Sequence, residues 1–157
     1  MSRTAVLFPV LGIAGAGLGL AVAWLWLAGP TATGDTSAAT VALGKTLYAK
    51  RCAACHGVGL EGQRYWKSPL PSGRMPAPPH DASGHTWHHP DGVLFRITKE
   101  GPAAVVGGDY QSDMPGFGSI MSDDEIRAVL AFIKSTWPER EREYQAEMSR
   151  REREAVQ

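Results

Sequence analysis

Two thiols three positions apart and an imidazole directly after them, in Cys52-Ala53-Ala54-Cys55-His56, constrain this chain more than any other feature. On one turn of helix, residues i and i+3 share a face, so both sulfurs reach one flat ligand and His56 falls beneath its centre. The spacing is that of a c-type haem attachment site, with one haem c bound covalently through Cys52 and Cys55. A zinc site would need a second pair of ligands at suitable spacing, and the chain has only these two cysteines. A thioredoxin-like redox motif would sit in a βαβ pattern, which is missing from the sequence.

Upstream, residues Ala5 to Ala28 form an uncharged run of 24. That exceeds the roughly 7–15 apolar residues of a signal-peptide core and matches the roughly 20 that cross a bilayer. Trp24 and Trp26 suit a headgroup interface, and Arg3 before the run favours a cytoplasmic N-terminus. The expectation is a transmembrane anchor over 1–28, in contact with lipid through residues 5–28, and a remaining chain on the periplasmic side. Cleavage near the small residues Ala32, Gly34 and Ala38 is the alternative, and would leave a soluble periplasmic protein. Residues 29–40 are Gly, Pro, Thr, Ala and Ser with one Asp, so they read as a flexible linker with a reach of roughly 18 Å.

Helical periodicity starts at Val41 and runs through Gly44, Leu47, Tyr48 and Arg51 into Cys52. Glycine inside a helix costs about 0.5–1 kcal/mol relative to alanine, so Gly44 implies a close backbone neighbour. The expected neighbour is the last core helix. It opens with the capping box Ser122-Asp123-Asp124-Glu125, carries Ile126, Val129, Leu130 and Ile133 on one stripe, and stops near Trp137-Pro138. Residues 57–90 are rich in Gly and Pro and read as loops, and a shorter helix is expected from Pro90 to a stop at Gly101-Pro102.

Charge excludes a nucleic-acid footprint. Residues 41–137 carry ten Lys/Arg against nine Asp/Glu, and residues 138–157 five against six. This balance predicts no electrostatic steering. The tail 138–157, alternating Arg and Glu, is expected to be a solvated, fraying helix supported by pairs such as Glu147 and Arg151.

The pattern Gly44-xxx-Tyr48-xxx-Cys52-xx-Cys55-His56, a late Met-Pro loop and Leu130-Ala131-Phe132-Ile133-Lys134 resemble the class I c-type cytochromes of the membrane-anchored bacterial type. The resemblance covers residues 41 to 137. It implies an all-α fold, with loops wrapped around one haem and the first and last helices crossing at Gly44 and Phe132. It also implies His56 and a methionine as the two axial ligands.

Of the five methionines, Met1 and Met148 are poorly placed, which leaves Met75, Met114 and Met121. Met114, in Asp113-Met114-Pro115-Gly116-Phe117-Gly118, resembles the family's distal ligand loop. Met75-Pro76 falls in the early loop, and Met121 reads as a core residue. By the same resemblance a proline after the attachment site accepts a hydrogen bond from His56; Pro79 is the first choice and Pro78 the next. His80, His85, His88 and His89 crowd one loop, where a second metal, or a histidine in place of Met114, competes with the reading of ordinary loop residues.

Met/His ligation fills both axial positions, so the implied role is an electron carrier, not an enzyme, passing single electrons between membrane-bound redox complexes. Two rival roles are a permanently docked electron-entry subunit of an oxidase or dehydrogenase, and a ligand-binding haem peroxidase or sensor.

Overall fold

The computed structural model describes residues 36–157. The expected anchor 1–28 and the start of the linker lie outside them. Among the described residues there are helices and loops but no strand, in agreement with the all-α expectation. None of these helices is long and apolar enough to cross a membrane.

Helix α1 (Ala38–Arg51) begins three residues earlier than the periodicity predicts, because the Ser37 hydroxyl accepts a hydrogen bond from Thr40 N and supplies an N-cap that apolar spacing does not register. It breaks at Cys52 and resumes as the single turn α2 (Ala53–His56). After a long loop come a 3-10 turn (Thr86–His88), α3 (Asp91–Glu100) and the short α4 (Pro102–Val106). The chain closes with α5 (Asp123–Ser135) and α6 (Glu139–Ala155).

The scaffold is the crossing of α1 and α5. A Cβ on Gly44 would lie 1.9 Å from the Ala128 carbonyl oxygen, so the two backbones meet at a distance only glycine permits. One turn on, the Tyr48 and Phe132 rings pack at 5.4 Å between centroids. Around this contact Ile126, Val129, Ile133, Leu94 and Phe117 form the core, and Met121 is buried with them. Each such side chain contributes about 1.5–3 kcal/mol through burial. The capping box forms as the sequence predicts: Ser122 Oγ accepts from Glu125 N, and Glu125 Oε2 accepts from Ser122 N.

The tail differs from the expectation. Glu141, Gln145 and Ser149, four residues apart, are buried along one face of α6. Ser149 Oγ accepts from Asp91 N at 3.0 Å and Glu152 Oε2 accepts from Gly92 N at 2.9 Å, which caps the first turn of α3 from another helix. Gln145 Nε2 donates to Asp91 Oδ1 at 2.8 Å, and Lys134 Nζ reaches the same oxygen at 2.7 Å. The seam is polar, so hydrophobic patterning is blind to it.

Candidate functional site

The attachment turn is shaped by its neighbours. Cys55 N and His56 N both donate to the Cys52 carbonyl, at 3.1 and 2.9 Å, and this folds the two cysteines onto one turn. Gly57 ends it with φ of +80°. The Tyr48 hydroxyl donates to the Gly57 carbonyl at 2.8 Å and ties that turn to the α1–α5 crossing. Neither cysteine is in a disulfide; Cys52 is half-buried and Cys55 exposed.

His56 is buried, and its Nδ1 lies 2.9 Å from the Pro78 carbonyl oxygen. A carbonyl only accepts, so Nδ1 carries the proton and Nε2 keeps its lone pair for a metal. Burial lowers the proton affinity of the ring, and the Pro78 contact partly opposes that. Pro78 therefore takes the role that the sequence reading gave first to Pro79. The reason is that the Pro78 carbonyl is the one that faces the ring. The Pro79 carbonyl faces away, toward Gly84 and the Thr86 hydroxyl, which donates to it at 3.4 Å. A Cβ on Gly84 would stand 2.0 Å from that oxygen, and one on Gly62 would stand 2.4 Å from Pro79 N. Two glycines thus clasp the Pro78-Pro79 segment and aim one carbonyl at His56.

The loop histidines divide into different roles. The His80 ring stacks on His56 at 4.0 Å between centroids, with 19° between planes. Its Nδ1 shares a hydrogen bond with Thr86 Oγ1 at 2.8 Å, and burial together with the nearby imidazoles pushes it down to about 3. His85 stacks on Trp66, and its Nδ1 is buried with no hydrogen-bond partner among the described residues. No three His, Cys, Asp or Glu side chains of the described residues are grouped to hold a metal ion.

Met114 is half-buried and packs against the core. Its loop is seated on the end of α3: Phe117 N donates to Thr98 O at 3.0 Å, and Gly118 N to Lys99 O at 2.9 Å. A Cβ on Gly116 would meet the Glu100 carbonyl at 2.6 Å, so the glycines that follow Met114 are what let the loop lie this close. Met75 sits 38% exposed in the early loop. Two cysteine sulfurs on one turn, a buried imidazole with only Nε2 available, and a thioether held against the core make a donor set that fits a covalently attached haem c.

Charge around the attachment turn is uneven, a feature that a count over the whole of 41–137 conceals. Residues 41–80 hold six Lys/Arg against Glu61 alone, while residues 81–137 hold four against eight Asp/Glu. Lys45, Lys50, Arg51, Arg64 and Lys67 are exposed and make no ion pair among the described residues. Beside them Val58 is 86% and Tyr65 77% exposed. Counting by halves would have found this in the sequence.

Residues 41–137 match the family model described as Cytochrome c. No curated protein and no solved structure matches the chain.

Proposed function

The chain belongs to the cytochrome c family, and from that premise we propose that it is a monohaem electron carrier that passes single electrons between membrane-bound redox complexes, with His56 and Met114 as axial ligands. The covalently attached haem c supplies a one-electron iron couple. The carrying observation is the hydrogen bond from His56 Nδ1 to Pro78 O, which fixes the ring, commits its other nitrogen to metal and leaves it no proton-transfer role.

The surrounding residues support a carrier. Cys52 and Cys55 hold the group on the turn between α1 and the loop, and Tyr48 braces that turn. The seating of Phe117 and Gly118 on α3 keeps Met114 against the core, where its thioether would serve as the second ligand of the bound haem and keep exogenous ligands out. With both ligands on braced backbone, oxidation and reduction call for little rearrangement.

The exposed cations on either side of Cys55 in the sequence, interleaved with the exposed Val58 and Tyr65, suit partners with an acidic face. The uncharged run Ala5 to Ala28 favours a protein tethered to the cytoplasmic membrane with its haem domain on the periplasmic side. The linker would then confine it near membrane-bound donors and acceptors and raise their effective concentration.

Carbon monoxide titration of the reduced protein tests the ligation and the carrier role together. The expected result is no binding to undenatured protein. Rapid stoichiometric binding would reveal an open axial position and overturn the reading. The intact mass of protein extracted from membranes reports both the covalent haem and the state of the N-terminus.

A further inference from the structure

Met114 is anchored on one side only by main-chain bonds. After it, Phe117 and Gly118 hang on α3. Before it, residues 107–113 begin with two glycines at positive φ, Gly107 and Gly108, and a Cβ on either would meet nothing within 4 Å. Within that segment Tyr110 N donates to Gly107 O, and Met114 N to Ser112 Oγ, which are both local bonds. Among the described residues, apart from Gly107 N, which donates to Ala103 O where α4 ends, its hydrogen-bonded ties to the rest of the chain come from one side chain. Arg74 Nη1 pairs with Asp113 Oδ1, and Arg74 Nη2 donates to Gln111 Oε1 at 3.3 Å.

The position of Arg74 gives this contact a second meaning. Its own turn is closed by Leu70 N to Arg74 O at 2.9 Å and Gly73 N to Leu70 O at 2.8 Å. Three residues on, Ala77 N donates to Gln63 Oε1 and Gln63 N to Ala77 O, both at 2.8 Å. The next residue is Pro78, whose carbonyl holds His56. Residues 74–78 therefore form a strut with the His56 partner at one end and the clasp on the Met114 loop at the other.

We infer that Arg74 is a positioning residue for Met114, tying the loop of the distal ligand to the segment that fixes the proximal one. The inference rests on the Met114 ligation proposed above. The pair is exposed, with side chains 40% and 60% accessible, so its effect is modest and sensitive to salt. Arginine spans two partners with a planar fork, which lysine does not reproduce.

Imidazole binding to the ferric holoprotein reads the fraction of molecules in which Met114 has left the metal. Arg74→Gln and Asp113→Asn should each raise apparent imidazole affinity by about 1.5- to 5-fold at low ionic strength, the range of an exposed ion pair. Their combination should add nothing further. Near 1 M salt, where the screening length is about 3 Å, the difference from the parent should shrink. Arg74→Lys should fall between, and the charge-swapped pair Arg74→Asp with Asp113→Arg should recover part of the loss. In a Met114→Ala background, Arg74→Gln should have no effect.

Unchanged affinity in both Arg74→Gln and Asp113→Asn would overturn the positioning role while leaving Met114 as ligand. An equal effect of Arg74→Gln with and without Met114 would also overturn it, since the arginine would then act elsewhere. If Met114→Ala alone leaves imidazole affinity unchanged, the ligation itself fails and the role of Arg74 falls with it.

Discussion

The indole nitrogen of Trp137 donates to the backbone carbonyl of His80 at 2.7 Å, joining the residue just beyond α5 to the residue whose ring lies on His56. Trp137 is 1% exposed, so this bond is shielded from water and anchors the Pro-rich loop to the helical scaffold. The proximal side is thus held at three points: Tyr48 on the turn, Pro78 on the imidazole and Trp137 behind His80.

Replacing Trp137 with Phe keeps most of the ring but leaves the His80 carbonyl without its donor. Equilibrium urea unfolding should show a loss of about 1–3 kcal/mol, the cost of a buried polar group left unpaired. The visible spectrum of the holoprotein should be unchanged.

Gly44→Ala drives a methyl group into the Ala128 carbonyl. The crossing must open to admit it, at a cost of about 1–3 kcal/mol for overpacking. Thermal melts should show a lower Tm for Gly44→Ala, whereas Ala49→Ser, on the exposed side of the same helix, should change it little.

Asp91 supplies a pH dependence whose sign follows from its neighbours. Burial raises its proton affinity, but Lys134, Gln145 and Ser149 together outweigh that and hold its carboxyl below the usual 3.8. The native state therefore binds the proton less readily than the unfolded chain. The resulting stability is fully present above pH 3.8 and is lost as pH falls through the lower folded value. Stability curves measured in acid should be flatter for Asp91→Asn than for the parent in that window.

The uneven charge predicts opposite salt effects with small redox ions. Oxidation by anionic ferricyanide should slow by several-fold as salt rises, and oxidation by a cationic cobalt complex should accelerate. Lys67→Glu with Arg64→Glu should shrink both effects. Equal salt dependence for the two oxidants would show that the basic segment does not face the route of electron exchange.

Much of the site was legible because its chemistry is local. Cys52, Cys55 and His56 lie within five residues, the capping box at Ser122 within four, and Gly44 signals its close approach through the cost it would otherwise incur. The choice between Pro78 and Pro79 was not legible, since it depends on which carbonyl of an extended pair Gly62 and Gly84 turn toward His56. Arg74 was hidden for a related reason: its partners Gln111 and Asp113 lie 37 and 39 residues away, and nothing in a charged loop residue advertises its mate. The docking of α6 escaped because Gln145 and Ser149 are buried for their hydrogen bonds, and apolar periodicity is the wrong measure for such a face.

That hydrogen-bonded seam has a thermodynamic consequence. Exposing apolar surface raises heat capacity and exposing polar surface lowers it, so lifting Gln145 and Ser149 off α3 would add nothing to the positive heat-capacity change that the apolar core gives on unfolding. The seam would keep its strength in the cold, where apolar cores weaken.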